Sequence, residues 1–156
     1  MRKIVKTALI GYPGVGKSTL VKLLSGKKNL KTSYDPTIGL DFGSASLKDD
    51  FQLSLWDIAG QEQFEFLWDS FLRGSSLICV VTDSSTENVK KTKQILNKYK
   101  NYQGAKVIAI ANKQDTEGAM DPKEIENYFG VETIGMVAVD QENKRMLFNQ
   151  LTRIFS

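Results

Sequence analysis

An alternation between two kinds of segment constrains the fold of this chain more than any other feature. Short apolar runs rich in β-branched residues are each followed by a segment whose apolar residues recur at helical spacing. Four such pairs occur within the 156 residues: 4–11 with 17–25, 76–82 with 86–99, 106–112 with 121–129, and 133–139 with 143–155. This order predicts parallel βαβ units and therefore an α/β fold.

Two further apolar runs interrupt the alternation. The runs LDFGSASL (40–47) and FQLSLWD (51–57) are separated only by Lys48, Asp49 and Asp50. A connection this short joins antiparallel strands, because a parallel crossover needs a dozen residues or more. We therefore expect an antiparallel hairpin at one edge of a sheet of about six strands, with helices on both faces. Ligands of such open sheets bind beyond the carboxyl ends of the strands.

The composition narrows the possible chemistry. Histidine is absent, which removes imidazole catalysis and the commonest metal ligand. The single cysteine, Cys79, lies in the apolar run SLICVV, so no internal disulfide can form and a reducing, cytoplasmic compartment is expected. The 21 Lys and Arg are interspersed with 18 Asp and Glu, a pattern that does not predict a nucleic-acid-binding face. With no internal repeat or linker, we expect residues 1–156 to form one domain.

The stretch LIGYPGVGKSTL (9–20) predicts a phosphate-binding loop. Its residues Gly11, Gly16, Lys17 and Ser18 fit the pattern G-x-x-x-x-G-K-[ST], and they lie between a predicted strand and a predicted helix. Glycines let the backbone N–H groups converge on an anion, and the helix N-terminus adds partial positive charge. Lys17 would reach the β and γ phosphates, and the Ser18 hydroxyl would bind Mg²⁺. We assign nucleotide binding to Gly14, Val15, Gly16, Lys17, Ser18 and Thr19.

The tetrapeptide NKQD (112–115) predicts that the base is guanine. It follows the apolar run KVIAIA, so it also lies at a strand end on the ligand side. The Asp115 carboxylate can accept hydrogen bonds from guanine N1–H and from its 2-amino group, and adenine offers neither donor. Lys113 can lay its methylene stem along the base, and Asn112 can tie this loop to the phosphate loop.

These motifs resemble those of the Ras superfamily of small GTPases over nearly the whole chain. YDPTIG (34–39) resembles the first switch of that family, WDIAGQE (56–62) the second switch, and VAVD (137–140) the fifth guanine-loop element. The chain is similar to Arf and Arf-like proteins at PTIG, at Leu67, Trp68 and Phe71, and over NKQDTEGAMDPKEIENYFG. GYPGVGKST and DIAGQE look more like Ras or Rab, and the mixture also suits archaeal and gliding-bacterial small GTPases.

The resemblance implies a three-layer P-loop NTPase fold of the small G-protein type, with about five helices and a six-stranded, mostly parallel sheet that has one antiparallel edge strand. It also implies a molecular switch that binds GTP with Mg²⁺ and hydrolyses it slowly to GDP. The loops at about 34–42 and 57–72 would sense the γ phosphate. In this class of switch the nucleotide contacts exist with the triphosphate and are lost on hydrolysis.

Specific site residues follow from the same resemblance. Thr37 would bind Mg²⁺ and the γ phosphate, Asp57 would hold Mg²⁺ through water, and the Gly60 N–H would approach the γ phosphate. Gln61 would orient the attacking water. The implied catalytic residues are Gln61, Lys17 and Thr37, and the implied metal ligands are Ser18, Thr37 and Asp57. The further implied nucleotide contacts are Tyr34, Thr37, Gly60, Asn112, Lys113, Asp115, Ala138 and Val139.

Two residues depart from the family pattern. Pro13 stands where many relatives have a small residue, and it removes one loop N–H and fixes its φ near −65°. Val137 replaces a polar residue in the fifth element, which leaves the Ala138 N–H as the donor for guanine O6. Because no arginine is expected in the position of an intrinsic arginine finger, unaided hydrolysis should be slow.

The resemblance implies protein partners at the switch face. Leu40, Trp56 and Phe71 match the apolar effector triad of Arf-like proteins, although the same residues could be ordinary core. An activating protein, an exchange factor and an effector are expected. The termini show no myristoylation or prenylation motif, so we expect no direct lipid anchor.

Two other functions fit a phosphate-binding loop. An ATP-dependent phosphotransferase would need an acceptor site and usually an arginine-rich lid, and the sequence indicates neither. A binding or assembly module with a structural nucleotide and little or no hydrolysis is the second alternative. The presence of Thr37, Asp57 and Gln61 argues against it.

Overall fold

The computed structural model describes residues 3–25, 40–47, 51–60, 66–138 and 140–155, with the side chains of residues 40, 41 and 47 excepted. Eleven elements follow one another along these ranges. Their bounds are β1 (Lys3–Ile10), α1 (Lys17–Ser25), β2 (Leu40–Leu47), β3 (Phe51–Ile58), α2 (Trp68–Leu72), β4 (Leu77–Thr82), α3 (Thr86–Tyr99), β5 (Lys106–Ala111), α4 (Pro122–Phe129), β6 (Thr133–Gly135) and α5 (Glu142–Ile154).

The strands form one six-stranded sheet in the order β2-β3-β1-β4-β5-β6. Only the edge strand β2 is antiparallel to its neighbour, with Phe42 opposite Trp56. The four remaining pairings are parallel. The predicted α/β fold, its edge hairpin and the small G-protein topology are confirmed.

Helices cover both faces of the sheet, and the sheet divides the core into two parts. On one side, α1 and α5 pack against alternate residues of the strands, including Leu9, Leu53 and Cys79. On the other side, α2, α3 and α4 pack against the intervening residues, including Ala8 and Ile78. All six residues of β4 are buried, as expected for a central parallel strand that is covered on both faces.

Local sequence signals explain where two of the helices begin and end. The Ser85 side chain accepts a hydrogen bond from the Asn88 N–H at the start of α3. Asp121 caps α4 in the same way through the Lys123 N–H, with Pro122 in the first turn, and Gly130 ends this helix in a left-handed conformation. None of the helices in the described ranges is long and apolar enough to span a bilayer.

One predicted element is shorter than expected. The run 133–139 was expected to be a strand throughout, but β6 ends at Gly135. The Met136 N–H still donates to the Ala111 carbonyl over 2.9 Å. The Val137 N–H then donates to Asn143 Oδ1 and the Ala138 N–H to Asn112 Oδ1, both over 3.0 Å. The end of this apolar run therefore forms a loop at the carboxyl edge of the sheet.

Candidate nucleotide-binding site

An open cleft of about 380 Å³ lies at the carboxyl edge of the sheet, where β1, β3 and β5 end. Its volume is within the range of about 300 to 1,000 Å³ that is usual for small-molecule sites. The cleft is lined by the loop and helix start after β1 (Pro13, Gly14, Gly16, Lys17, Ser18 and Thr19), by Asp57, Ala59 and Gly60 after β3, and by Lys113 after β5.

The loop between β1 and α1 is tied to the loop after β5 by one side chain. The buried Asn112 donates from Nδ2 to the Val15 carbonyl over 2.9 Å. A Cβ on Gly16 would overlap this same Nδ2, so only glycine permits the approach. Val15 itself is buried in the core, which leaves only its backbone for a ligand. The expected connection between the two loops is therefore present in the fold.

Lys17 is buried at the first position of α1. Its ammonium donates to the Gly11 carbonyl over 2.9 Å and to the Tyr12 carbonyl over 3.3 Å. Burial lowers the pKa of Lys17, and the nearby Asp57 carboxylate offsets part of that shift. A cation held in this way at the cleft wall would gain from an anion placed beside it.

Ser18 and Asp57 meet across the cleft. The Ser18 hydroxyl donates to Asp57 Oδ2 over 2.9 Å, and the Asp57 carboxylate is buried at the end of β3. These two oxygens are the hard ligands that Mg²⁺ prefers. Within the described ranges no group of three or more acidic, histidine or cysteine residues could hold a metal. The pair therefore fits a Mg²⁺ that takes its remaining ligands from phosphate and water.

Gly60 lies directly against the loop after β1. A Cβ at this position would overlap the Gly11 carbonyl oxygen and would lie 2.9 Å from the Tyr12 carbonyl carbon and 3.0 Å from the Pro13 nitrogen. No residue other than glycine fits this backbone contact without displacing one of the two segments. The segment is held from the other side by Trp68, whose Nε1 donates to the Ala59 carbonyl over 3.0 Å.

A smaller recess of about 60 Å³ continues from the cleft. It is lined by Gly16, Thr19, Asn112, Lys113, Asp115, Val137 and Ala138. The Lys113 ammonium reaches the Gly14 carbonyl over 2.7 Å and so adds a second tie between the two loops. The structure thus brings the NKQD residues and the phosphate-binding loop together around one recess.

The Ala138 N–H has an acceptor that the sequence did not indicate. It donates to Asn112 Oδ1 over 3.0 Å, so a base oxygen would have to share or displace this contact. The assignment of Ala138 to guanine O6 stays a prediction. Four other predicted site residues lie outside the described ranges: Tyr34, Thr37, Gln61 and Val139.

The residues expected at the switch face have mixed burial. Trp56 is half-buried between Phe42, whose ring centroid lies 5.0 Å away, and the Lys6 ammonium, which lies 3.7 Å from the indole centroid. Phe71 is half-buried as well and packs on the α3 side of the core. The backbone of Leu40 pairs with Ile58, and its side chain is outside the described part of the chain. Phe42 is 51% exposed and was not among the predicted residues.

Two further residues at the site were missed from the sequence. The Tyr12 hydroxyl donates to the Lys91 carbonyl over 3.4 Å, and the Lys91 ammonium lies 4.5 Å from the ring centroid, which attaches the loop to α3. Ser84, in the loop after β4, is buried, and its hydroxyl donates to the Asn112 carbonyl in the loop after β5. A large residue inside a glycine-rich loop was a visible signal for Tyr12, but the segment DSST offered no signal that Ser84 would be buried.

This strand order, with a lysine-bearing glycine loop between β1 and α1, defines a P-loop nucleotide-binding domain of the small G-protein type. The family model described as "Ras of Complex, Roc, domain of DAPkinase" matches residues 6–115. ADP-ribosylation factor-like protein 14 of Mus musculus is 32% identical over 132 residues, which cover 81% of this chain and 67% of the relative. ADP-ribosylation factor K of Dictyostelium discoideum is 32% identical over 138 residues, covering 85% and 71%.

The chain therefore belongs to the Ras superfamily of small GTPases and, within it, to the Arf-like proteins. The predicted family is confirmed. The chain is a GTPase domain of the kind that acts as a GTP-binding switch.

Proposed function

We propose that residues 1–156 form one Mg²⁺-dependent GTPase domain that hydrolyses GTP slowly by itself and changes its switch face with the nucleotide. The observation that carries the proposal is the hydrogen bond of 2.9 Å between Ser18 and Asp57. It unites the start of α1 and the end of β3 in the cleft that Lys17 also lines. A cation and two hard oxygen ligands at one place suit a triphosphate with its metal.

Phosphate binding is assigned to the loop after β1. The residues proposed for it are Gly14, Val15, Gly16, Lys17, Ser18 and Thr19, most of which line the cleft. On binding, the Lys17 ammonium would exchange the Gly11 and Tyr12 carbonyls for phosphate oxygens. Ser18, Thr37 and Asp57 are proposed to hold Mg²⁺, which would neutralise charge on the phosphates.

Base selection is assigned to the recess beside the phosphate cleft. The Asp115 carboxylate would accept from guanine N1–H and from the 2-amino group, and the Lys113 stem would cover the base. Asn112 would act by holding this loop against the phosphate-binding loop, since its side chain joins Val15 and Ala138. Ala138 and Val139 are proposed to complete the recess around O6, with the Asn112 contact of Ala138 as a competitor.

The switch itself is proposed to work through Thr37, Gly60 and Gln61. Thr37 and Gly60 would contact the γ phosphate and release the loops at about 34–42 and 57–72 after hydrolysis. The close packing of Gly60 on the Tyr12–Pro13 backbone supports this, because a small movement of either segment must displace the other. Gln61 would orient the attacking water, and Tyr34 would lie beside the phosphates.

Slow intrinsic hydrolysis is proposed because Pro13 lines the cleft without a backbone N–H and no arginine is among the described residues that line it. An activating protein that supplies an arginine or orders Gln61 would then accelerate the reaction by about 10³- to 10⁵-fold. An exchange factor and an effector would bind the face that carries Leu40, Trp56 and Phe71.

The nucleotide that copurifies with the protein tests this proposal. After denaturation, chromatography of the released nucleotide should give GDP or GTP. Competition against a fluorescent GDP analogue in Mg²⁺ should then rank GTP and GDP far above ATP and ADP. Copurified adenine nucleotide, or equal competition by ATP, would rule out the guanine assignment and favour the phosphotransferase alternative.

A further inference from the structure

Two non-glycine residues in the described ranges have a left-handed backbone. They are Ser84, with φ of 69°, and Lys113, with φ of 60°. Ser84 follows β4 and Lys113 follows β5, so both lie at the carboxyl edge of the sheet. Residues other than glycine adopt this conformation at an energetic cost, which persists only where surrounding contacts enforce it.

The contacts of Ser84 connect these two positions. Its hydroxyl donates to the Asn112 carbonyl over 2.7 Å and accepts from Gln114 Nε2 over 2.7 Å. Asn112 and Gln114 are the two neighbours of Lys113 in the chain. One hydroxyl therefore holds the backbone on one side of Lys113 and the side chain on the other.

Every polar atom of Ser84 has a hydrogen-bond partner. Its N–H donates to Thr82 Oγ1 over 3.2 Å, and its carbonyl accepts from the Met120 N–H over 2.8 Å. Gln114 Nε2 also donates to the Met120 carbonyl over 3.0 Å, and Ser84 is fully buried. A buried and fully bonded serine is a rigid support, because each of its groups would lose a partner if it moved.

We propose that Ser84 is a positioning residue for guanine recognition, acting through the loop that carries Asn112, Lys113 and Asp115. By gathering residues 112 and 114 on one hydroxyl, it imposes the left-handed turn at Lys113. That turn sets the direction in which the chain continues to Asp115, which lines the base recess. The inference rests on the proposed function, since it assumes that Asp115 reads guanine.

A merely structural serine would affect folding but not the choice between nucleotides. Inosine diphosphate (IDP) distinguishes a structural role of Ser84 from a role in base recognition. Its base, hypoxanthine, keeps N1–H and lacks the 2-amino group of guanine. The ratio of the GDP and IDP affinities therefore reports how well both oxygens of Asp115 are placed. A displaced carboxylate loses part of this ratio even when phosphate binding is intact.

The test uses Ser84→Ala with Ser85→Ala as the matched control. Ser85 is the adjacent residue, and its hydroxyl accepts from the Asn88 N–H at the start of α3 and donates to Asp83 Oδ1. Dissociation constants for GDP and IDP are measured for both variants and the unmodified protein. We expect Ser84→Ala to weaken the binding of GDP about 10-fold, as for the loss of one hydrogen bond to a charged group. The binding of IDP should be weakened by less. Ser85→Ala should leave the ratio unchanged.

Each outcome decides one question. If the unmodified protein does not prefer GDP to IDP or to ADP, the proposed guanine assignment itself fails. If it does prefer GDP and Ser84→Ala keeps the same GDP:IDP ratio, the role of Ser84 is overturned and the proposed function stands. If Ser84→Ala does not fold, Gln114→Ala is measured instead, because it removes the side chain that donates to the Ser84 hydroxyl. An unchanged GDP:IDP ratio in that variant equally overturns the proposal.

Discussion

The Ser18 hydroxyl donates to the Asp57 carboxylate over 2.9 Å, although the two residues are 39 positions apart. The contact joins the start of α1 to the end of β3 at the carboxyl ends of the parallel strands, where Asp57 is in register with Leu9 of β1. The fold thus brings together, in the absence of a metal, the two oxygen atoms that we propose as Mg²⁺ ligands. A preformed pair reduces the conformational entropy that metal binding must overcome.

Replacing Ser18 with Ala should weaken the binding of Mg²⁺ beside the nucleotide. The variant loses one proposed ligand and leaves Asp57 in place. We expect the Mg²⁺ concentration for half-maximal GTP retention to rise about 10-fold, in the range of one hydrogen bond to a charged group. Ser44→Ala is the control, since Ser44 is exposed on β2 and is not among the residues that line the cleft. Identical Mg²⁺ curves for the two variants would remove Ser18 from the metal site.

Asp115→Asn should lower the affinity for GDP and GTP by at least about 10-fold, because it replaces a charged acceptor pair with one acceptor and one donor. Xanthosine diphosphate carries an oxygen in place of the 2-amino group, so the variant should bind it better than the unmodified protein does. Equilibrium competition against a fluorescent nucleotide measures both effects. Unchanged GDP affinity would show that Asp115 does not read the base.

The switch face should bind its partner in a nucleotide-dependent way. Leu40→Ala and Phe71→Ala should weaken binding of a GTP-selective partner by at least about 5-fold and leave GTP affinity nearly unchanged. For Phe71 the reason is that its side chain is not among those that line the cleft. Tyr128→Ala on α4 is the control, as its side chain is 44% exposed and remote from β2 and β3 in sequence. Partners are captured on protein loaded with GDP or a nonhydrolysable GTP analogue. Equal losses of GTP and partner would show that the residues are ordinary core.

The Cys79 thiol should be unreactive in the folded protein. Complete burial raises its pKa to about 12, so almost no thiolate exists at pH 8. Labelling with an aromatic disulfide reagent should therefore follow unfolding and become immediate in guanidinium chloride. Because the folded pKa exceeds the unfolded value, the stability from this group is complete below the unfolded pKa of about 8.5 and declines as the pH rises toward 12. Rapid labelling of native protein at pH 8 contradicts this burial.

The sheet was predictable because its signals are local. Lys48, Asp49 and Asp50 are too few to hold a crossover helix, so the antiparallel edge followed from spacing alone. The end of β6 was not predictable in this way, since the apolar run 133–139 reads as strand to its last residue. The N–H groups of Val137 and Ala138 donate instead to Asn143 and Asn112, and such side-chain acceptors are visible only once the chain has folded.

In the candidate site, too, some residues could be predicted from local sequence signals and others could not. The residues proposed to bind nucleotide and metal follow strand ends in recognisable motifs, and the structure brings Lys17, Ser18, Asp57 and Lys113 to one cleft. Ser84 had no such signal, because DSST reads as the start of a helix, and its hydroxyl meets the Asn112 carbonyl 28 residues away. The exposure of the Trp56 side chain could not be predicted from the sequence either, because the pattern fitted both an effector anchor and a core residue. In the structure Trp56 is half-buried between Phe42 and Lys6.

Single-turnover hydrolysis tests the central claim most directly. The protein is loaded with GTP in the absence of Mg²⁺, the reaction is started with Mg²⁺, and bound GDP is quantified over time for the unmodified chain and for Gln61→Leu. The account predicts slow, complete conversion of GTP in the unmodified chain, no conversion of ATP, and a rate at least about 10-fold lower in Gln61→Leu with GTP still bound. Absence of hydrolysis in the unmodified chain would make the nucleotide structural, and equal rates in the two proteins would contradict the role of Gln61.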